Sequence, residues 1–591
     1  MNVVRLALAS LALAATACRS SGSGTAAGTQ SGSPNRLPSA AERAARDREA
    51  ADERRASGLR LPRYPSDFSR FRPLTRAERT NFTETSRHAD VVAFIDSLRT
   101  LGSGVHVTSL GRSGQGRDIP VVIASRPLVR TATEAKRLNR PIVFVQGNIH
   151  GGEVEGKEAL LSLLRDLLVD RNENVLDSLV LVAVPLYNPD GNEAFGPQER
   201  NRGSQNGPAI VGQRPNADTL DLNRDYIKAE APETRAALAF FNVWEPDVFV
   251  DLHATNGSYH GFALTYSPSL NPAAFVGGPF ARDTLLAEVR RRMRIDYRTE
   301  VFDYGNFVSQ DSVERGWYTY DHRPRFGTNY YGLRGRPSIL AEAYSHDPFD
   351  RRIASTYHFL RETLSLIGER GDEVLQTSAE ADRRSTGWGT LPASSPRIPV
   401  RSEIVSVHRE VVRAEVLERT GDSARTEAGV PRGMRRTGRY RAVQMPIYDR
   451  FAGTLFRTLP NAYAFGAEEA GVMEQLRRHG IFVEKLDVAL ELETEHFVVD
   501  SVIRSPRPFQ KHNEVRLQGR WAREKRTLPA GTFIVRTGQP LAVLALYLLE
   551  PESDDGLATW NVFDRSLRVG APFPVVRVLQ PLLGGVSEAG R

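Results

Sequence analysis

The chain has 591 residues, 78 Lys+Arg against 71 Asp+Glu, and a formal charge of +7. Charged residues make up 25% and hydrophobic residues 40%, an ordinary globular composition that excludes a wholly disordered or collagen-like chain; at about 100–200 residues per domain the length allows several. No apolar run after the extreme N-terminus is long enough to span a bilayer, and the basic residues, mostly Arg scattered among acids, form no phosphate-tracking block, so neither a polytopic membrane protein nor a nucleic-acid partner is expected.

Residues 1–18 read as a signal peptide. Arg5 supplies a positive start, residues 6–17 an apolar stretch too short to cross a membrane, and Ala15, Thr16 and Ala17 are small residues leading to Cys18. The segment resembles a bacterial lipoprotein signal, which implies export, lipidation of Cys18 and attachment to a membrane facing the periplasm or cell surface. A plain cleavable signal followed by an incidental thiol is the alternative. Cys18 is the single cysteine, so no disulfide forms within one chain and the core alone must hold the fold. Residues 19–62 read as a flexible polar tether: SSGSGTAAGTQSGSP cannot bury enough apolar surface to fold, and AAERAARDREAADERRASG alternates charge on an Ala background.

Over residues 63–375 short apolar runs alternate with loops and helix-period segments. PIVFVQ (141–146), LVLVAVPLY (179–187), DVFVDL (247–252) and SILAEAY (338–344) predict buried strands. GKEALLSLLRDLLVD (156–170) predicts an amphipathic helix, and a further helix is expected around 355–367. This spacing predicts an α/β fold with a largely parallel or mixed sheet covered by helices on both faces. In such sheets ligand sites lie beyond the carboxyl ends of strands.

The texture changes after Asp372. LPASSPRIP (391–399) reads as a linker, and residues 376–591 as a second, β-rich domain of unknown role, with β-branched alternation in EIVSVHREVVRAEV and GTFIVRTGQPLAVLALYLLEP. One helix is expected in AEEAGVMEQLRRHG (467–480), stopped by Gly480. Trp521, Trp560, His479 and His512 read as core or surface residues.

The chemistry-bearing residues follow the predicted strands. QGNIHGGEVEG places His150 and Glu153 on a tight loop, where an H-x-x-E pair can direct an imidazole nitrogen and a carboxylate at one cation. His253, in FVDLHATNG, adds a second imidazole; two imidazoles and a carboxylate form a ligand set for catalytic zinc. Glu342 is an acid inside an apolar run; beside a metal it suits a general base, and otherwise it pairs with an arginine such as Arg336. Asn223 and Arg224 offer an amide and a planar fork, the donors that hold a carboxylate.

The ordered series GRSGQGRDI (111–119), GNIHGGE (147–153), NPDG (188–191), DLNRD (221–225), VDLH (250–253) and LAEAY (340–344) resembles the carboxypeptidase A-type zinc metallocarboxypeptidases over about half the chain. The resemblance implies a three-layer α/β/α sandwich with a mixed, mostly parallel sheet, and one zinc ion held by His150, Glu153 and His253. It further implies Glu342 as the base toward the water at the metal, Asn223 and Arg224 as binders of a peptide's free C-terminal carboxylate, and Asp221 as the acceptor orienting His150. The arginine that polarises the scissile carbonyl is Arg200 or Arg202, with Arg200 favoured, and the substrate-binding tyrosine is one of Tyr318, Tyr320, Tyr330 and Tyr331. Gly152 departs from the pattern, since many relatives carry arginine before the glutamate.

The function expected is therefore an exported zinc metallocarboxypeptidase. A zinc amidase of cell-wall stem peptides is one alternative. A non-catalytic peptide-binding surface lipoprotein is another, although a pure binder needs no acid at Glu342.

Overall fold

The computed structural model describes residues 72–589 apart from 102–103, 171, 256, 421–429 and 431–432. The expected signal, Cys18 and the tether lie outside the described residues. Eight strands form one mixed sheet: Val105–Arg112 (β1), Asp118–Ala124 (β2), Ile142–Gly147 (β3), Val180–Val184 (β4), Val248–Ala254 (β5), Leu264–Pro268 (β6), Val301–Asp303 (β7) and Ser338–Ala343 (β8). Their order is β1-β2-β4-β3-β5-β8-β6-β7. The central run β4-β3-β5-β8 is parallel, and antiparallel pairs flank it at β1–β2, β2–β4 and β8–β6. β3, β4, β5 and β8 are the four runs legible as buried strands, because a parallel strand covered on both faces carries apolar residues without alternation.

Which way each residue points follows from the pleat. Val143, Val145, Leu181, Ala183, Val248 and Val250 face one layer, made by the helices His88–Leu98 (α1), Glu155–Val169 (α2) and Phe349–Glu369, the last with Phe359 and Leu360. Phe144, Val182 and Phe249 face the other, where Phe241 of Pro232–Trp244 (α3) and Tyr331 of Gly327–Leu333 (α4) pack. This is the three-layer α/β/α arrangement. Its second face carries more than helices: Val400, Tyr463, Phe497 and Leu546 continue the same buried cluster into the C-terminal half.

That half is rich in antiparallel strands, including Ile398–Val405 (β9), His408–Arg419 (β10), Met434–Tyr448 (β11), the hairpin Leu490–Arg504 (β12) with Val515–Leu528 (β13), and Val575–Val578 (β14). Two differences from expectation stand out. The helix Gly371–Thr390 runs through the expected boundary at 375/376, and all described residues belong to one compact unit. LAVLALYLL, taken with its surroundings as strand texture, forms the helix Ala542–Leu549, buried on every side. Periodicity cannot separate strand from helix when all faces are apolar, and a Leu/Ala run favours the helix. The two halves are also stitched by backbone: Trp317–Tyr318 pairs parallel with Ile447 and Tyr448 of β11, and His260 bridges Ala414 of β10.

His479 sits wholly buried between the halves. Its Nδ1 accepts from the Tyr330 hydroxyl at 2.7 Å and its Nε2 donates to the Ile227 carbonyl at 3.1 Å, a set satisfied by the neutral ring. Burial pushes its pKa from 6.5 down to about 3. The unfolded chain therefore takes up this proton first as pH falls, so the contribution is complete above about 6.5 and is lost toward pH 3. We expect the stability advantage of wild type over His479→Gln, measured by denaturant unfolding, to shrink by about 1 kcal/mol between pH 7.5 and 5.5.

Candidate active site

The loop after β3 is shaped by amides and glycines. Asn148, at φ 60°, donates its side-chain Nδ2 to the carbonyls of His150, Gly151 and Glu153 at 2.9–3.2 Å, curling the loop so that His150 and Glu153 face one way. Gly151 lies against the NPDG turn so closely that a Cβ there would stand 2.2 Å from the Gly191 carbonyl carbon. Asn188 of that turn donates to the Ile149 carbonyl, and Asp190 accepts from Ser113, Arg117 and the Gln115 amide. The motifs 111–119 and 188–191 thus brace the loop and carry no chemistry themselves.

His253 arrives from the end of β5. With His150 and Glu153 it makes the one group of potential metal-binding side chains found among the described residues, all three buried. His150 Nδ1 and His253 Nδ1 stand 3.2 Å apart, and each lies 2.9 Å from a Glu153 carboxylate oxygen. The outer ring nitrogens are held too: His150 Nε2 meets Asp221 Oδ1 at 3.0 Å and His253 Nε2 meets Asp251 Oδ2 at 2.9 Å. Carboxylates at both Nε2 positions keep hydrogen there and leave the Nδ1 lone pairs facing one another and an anion. Such a group needs positive charge at its centre. Tetrahedral zinc with ligands about 2.0–2.1 Å away spaces them by about 3.3 Å, so the donor set fits that ion. Burial opposes a proton on His253, yet Asp251 and Glu153 outweigh it and hold its pKa well above the ordinary imidazole value. Burial likewise works to raise Glu153, but His150 and Arg202 hold its carboxyl well below the usual range.

Glu342 lies on β8 directly opposite His253 of β5, on the same face as Asp251. No hydrogen bond or ion pair reaches its carboxylate among the described residues, including the arginine alternative, because Arg336 pairs with Asp382 at 2.8 Å. Burial pushes Glu342 up to about 8, with His253, Arg202 and Arg214 pulling the other way. A cation at the donor set would add to that pull.

Asp221, Asn223 and Arg224 form one short turn beside the donor set. Asn223 Oδ1 accepts from the Gly327 amide at 2.9 Å, while its Nδ2 lies 3.4 Å from His253 Nε2. The Arg224 guanidinium stacks on Phe326 at 3.9 Å, donates to the Asn223 carbonyl at 2.7 Å, and makes a long ion pair with Asp221 at 3.9 Å. About a fifth of its side chain (22%) is exposed to solvent.

The two expected arginines lie in different surroundings. Arg200 is exposed and bonds its neighbour Asn201, away from the donor set. Arg202 is buried behind Glu153, donating to its carboxylate at 3.0 Å and to the carbonyls of Ala254 and Thr255. Its stem accounts for Gly152, since a Cβ there would stand 2.6 Å from Arg202 Cγ. The arginine that faces the site from the solvent side is Arg214, which reaches Asp221 at 2.9 Å and Glu153 at 3.4 Å with a third of its side chain exposed. No local pattern marked it, because QRPNAD has no strand or turn that separates it from a surface loop. Asp251 gives no signal for the opposite reason, as one more residue of a strand.

Among the tyrosines, Tyr330 and Tyr331 are core residues packed on Tyr226 and Phe241. Tyr318 stacks on Tyr448. Tyr320 and Tyr304 pack edge to face, and both feel the Glu342 charge; burial keeps their phenols protonated.

Residues 91–319 match the family model described as zinc carboxypeptidase. Carboxypeptidase 2 of Trichophyton equinum is 24% identical over 492 residues, covering 79% of this chain and 81% of its own length. The Trichophyton tonsurans protein of the same name is 25% identical over the same spans. A metallo-carboxypeptidase structure from Burkholderia cenocepacia is 19% identical, with a TM-score of 0.35, over 48% of this chain and 69% of that one. Since outer carboxylates fix ring orientation and ligand basicity, Asp221→Asn and Asp251→Asn should each weaken zinc binding by about 10–100-fold, read by chelator competition.

Proposed function

With residues 91–319 forming a zinc carboxypeptidase domain, we propose that this metallocarboxypeptidase is exported, acts on peptides with a free C-terminus, and uses Glu342 as its base. The observation that carries this reading is a buried His–Glu–His donor set standing beside a partly exposed arginine whose carboxylate contact, Asp221 at 3.9 Å, is a long one. His150, Glu153 and His253 would hold one zinc ion, which when bound supplies a Lewis acid that acidifies water and draws charge from a carbonyl oxygen. Arg224 and Asn223 hold the terminal carboxylate by a planar fork and an amide, which fixes the last peptide bond over the donor set. Arg214 points a guanidinium at the same space and serves the scissile carbonyl oxygen, the role expected of Arg200. Glu342, without a competing partner, takes a proton from the attacking water on its carboxylate oxygen and returns it to the leaving amine.

Export rests on the basic start and apolar stretch of residues 1–18, and anchoring on Cys18 as the lipid-bearing residue. We expect Cys18→Ser to move the protein from the membrane to the soluble fraction.

A peptide with a free C-terminus should be cleaved while its amidated twin survives; equal cleavage of both removes the carboxylate role of Arg224. Glu342→Gln should lower kcat by about 10²–10⁴-fold with zinc content unchanged, and a variant that loses its metal in parallel would count against a proton-carrying role.

A further inference from the structure

The donor set and Glu342 open on the face of the sheet that the C-terminal half covers, and that half touches the turn of Asn223 and Arg224 from two sides. On one side is the tip of the β12–β13 hairpin. Phe509 and His512 exchange backbone hydrogen bonds at 2.7 and 3.0 Å, leaving a two-residue turn in which Gln510 and Lys511 both take positive φ, 49° and 68°. Non-glycine residues reach that conformation at a cost, and here each side chain lands on the 218–230 segment. Gln510 Oε1 accepts from the Asp221 amide at 2.8 Å, Lys511 Nζ donates to the Asp218 carbonyl at 2.6 Å, and His512 Nε2 meets Glu230 at 2.8 Å.

On the other side is Asp555, a wholly buried carboxylate. Its Oδ2 accepts from the Arg325 amide at 2.7 Å, and its Oδ1 accepts from Arg325 Nε at 2.9 Å and from the Trp560 indole at 3.0 Å. Glu514 takes the far end of the same guanidinium at 2.6 Å. The next two residues act on the carboxylate-binding pair: Phe326 is the ring under Arg224, and the Gly327 amide is the donor to Asn223 Oδ1. Burial depresses Arg224, with Arg214 and Arg325 adding to it, and two acids from the C-terminal half, Glu514 and Asp555, keep the Arg325 guanidinium paired.

We infer that the C-terminal half is a working part of the substrate-carboxylate site, with Gln510 and Asp555 as positioning residues that hold Asn223 and Arg224 in binding geometry. The inference rests on the carboxypeptidase reading above and gives a role to residues that the minimal α/β fold does not need. Neither residue reaches the donor set directly; each acts through the turn or through residues 325–327.

The test uses the full chain, with a short N-acylated peptide ending in a free carboxylate and its amidated twin. Gln510→Gly keeps the positive-φ turn and removes the acceptor; Gln510→Glu keeps an acceptor oxygen and serves as rescue. Asp555→Asn leaves Arg325 half-neutralised and is the stronger but riskier variant. Expected for Gln510→Gly is a KM about fivefold to tenfold higher on the free-carboxylate peptide, with kcat within twofold, zinc stoichiometry unchanged, and recovery in Gln510→Glu. Asp555→Asn, where it folds, should shift KM in the same sense and further. An unchanged KM in Gln510→Gly, or kcat and KM losses that follow the melting temperature, overturns the inference while wild-type discrimination between the peptides leaves the carboxypeptidase reading standing. Wild type that cleaves both peptides equally removes that reading and the inference with it.

Discussion

Two imidazole lone pairs and a carboxylate share a buried space in which each stands about a hydrogen-bond length from the others. Left to themselves these groups repel, and the surrounding structure exists in large part to keep them from moving apart. The strands β3 and β5, parallel neighbours in the sheet, deliver His150 with Glu153 and His253 from adjacent carboxyl ends. Asn148 and Asn188 then use their side-chain amides to hold carbonyls that a tight loop would otherwise leave without partners. Asp221 and Asp251 complete the constraint from outside by fixing each ring at its second nitrogen. An ion in the middle relieves the repulsion, which is why binding energy for a metal can be stored in a fold assembled before the metal arrives.

The same strand pairing places Glu342, the proposed base, beside the donor set. Because β5 and β8 are parallel and in register, residue 342 faces residue 253 across one strand spacing, and the pleat sends both to the face that carries Asp251. The opposite face of these strands is packed with apolar residues against α2 and the helix Phe349–Glu369, so a slip of one residue would put Glu342 into that apolar core and turn apolar side chains toward the donor set. Apolar packing on one side of the sheet thereby enforces polar alignment on the other.

The C-terminal half extends this logic past the sheet. Its apolar residues continue one of the two cores of the α/β region, and its polar residues reach the turns around the site. A layer joined by so much buried surface and by backbone pairing at Trp317 and Tyr318 behaves as part of the same body. The boundary suggested by a change of composition near residue 375 marks a change in type of secondary structure and lies within a continuous helix.

Parallel core strands were legible in the order of residues because burial on both faces leaves an uninterrupted apolar run, and His150, Glu153, His253 and Glu342 were legible because each follows or lies in such a run, whereas Asn223 and Arg224, on a short turn away from these strands, stood out only through the ordered motif series. Strands β1, β6 and β7, at or near the sheet's edges, carry mixed residues and give no comparable signal, while β2, apolar over residues 119–124, carries a run that the four expected strands leave out. The buried helix at 542–549 was ambiguous since apolar residues on every side erase periodicity. What sequence order determined was therefore local: which segments must be buried, and which polar residues sit at their ends. Only the tertiary structure placed arginines 200, 202 and 214 relative to the donor set, and brought Gln510 beside Asp221 and Asp555 beside Arg325, 289 and 230 positions away, because long flexible side chains and hairpin tips take their positions from what folds against them and not from their neighbours in the chain.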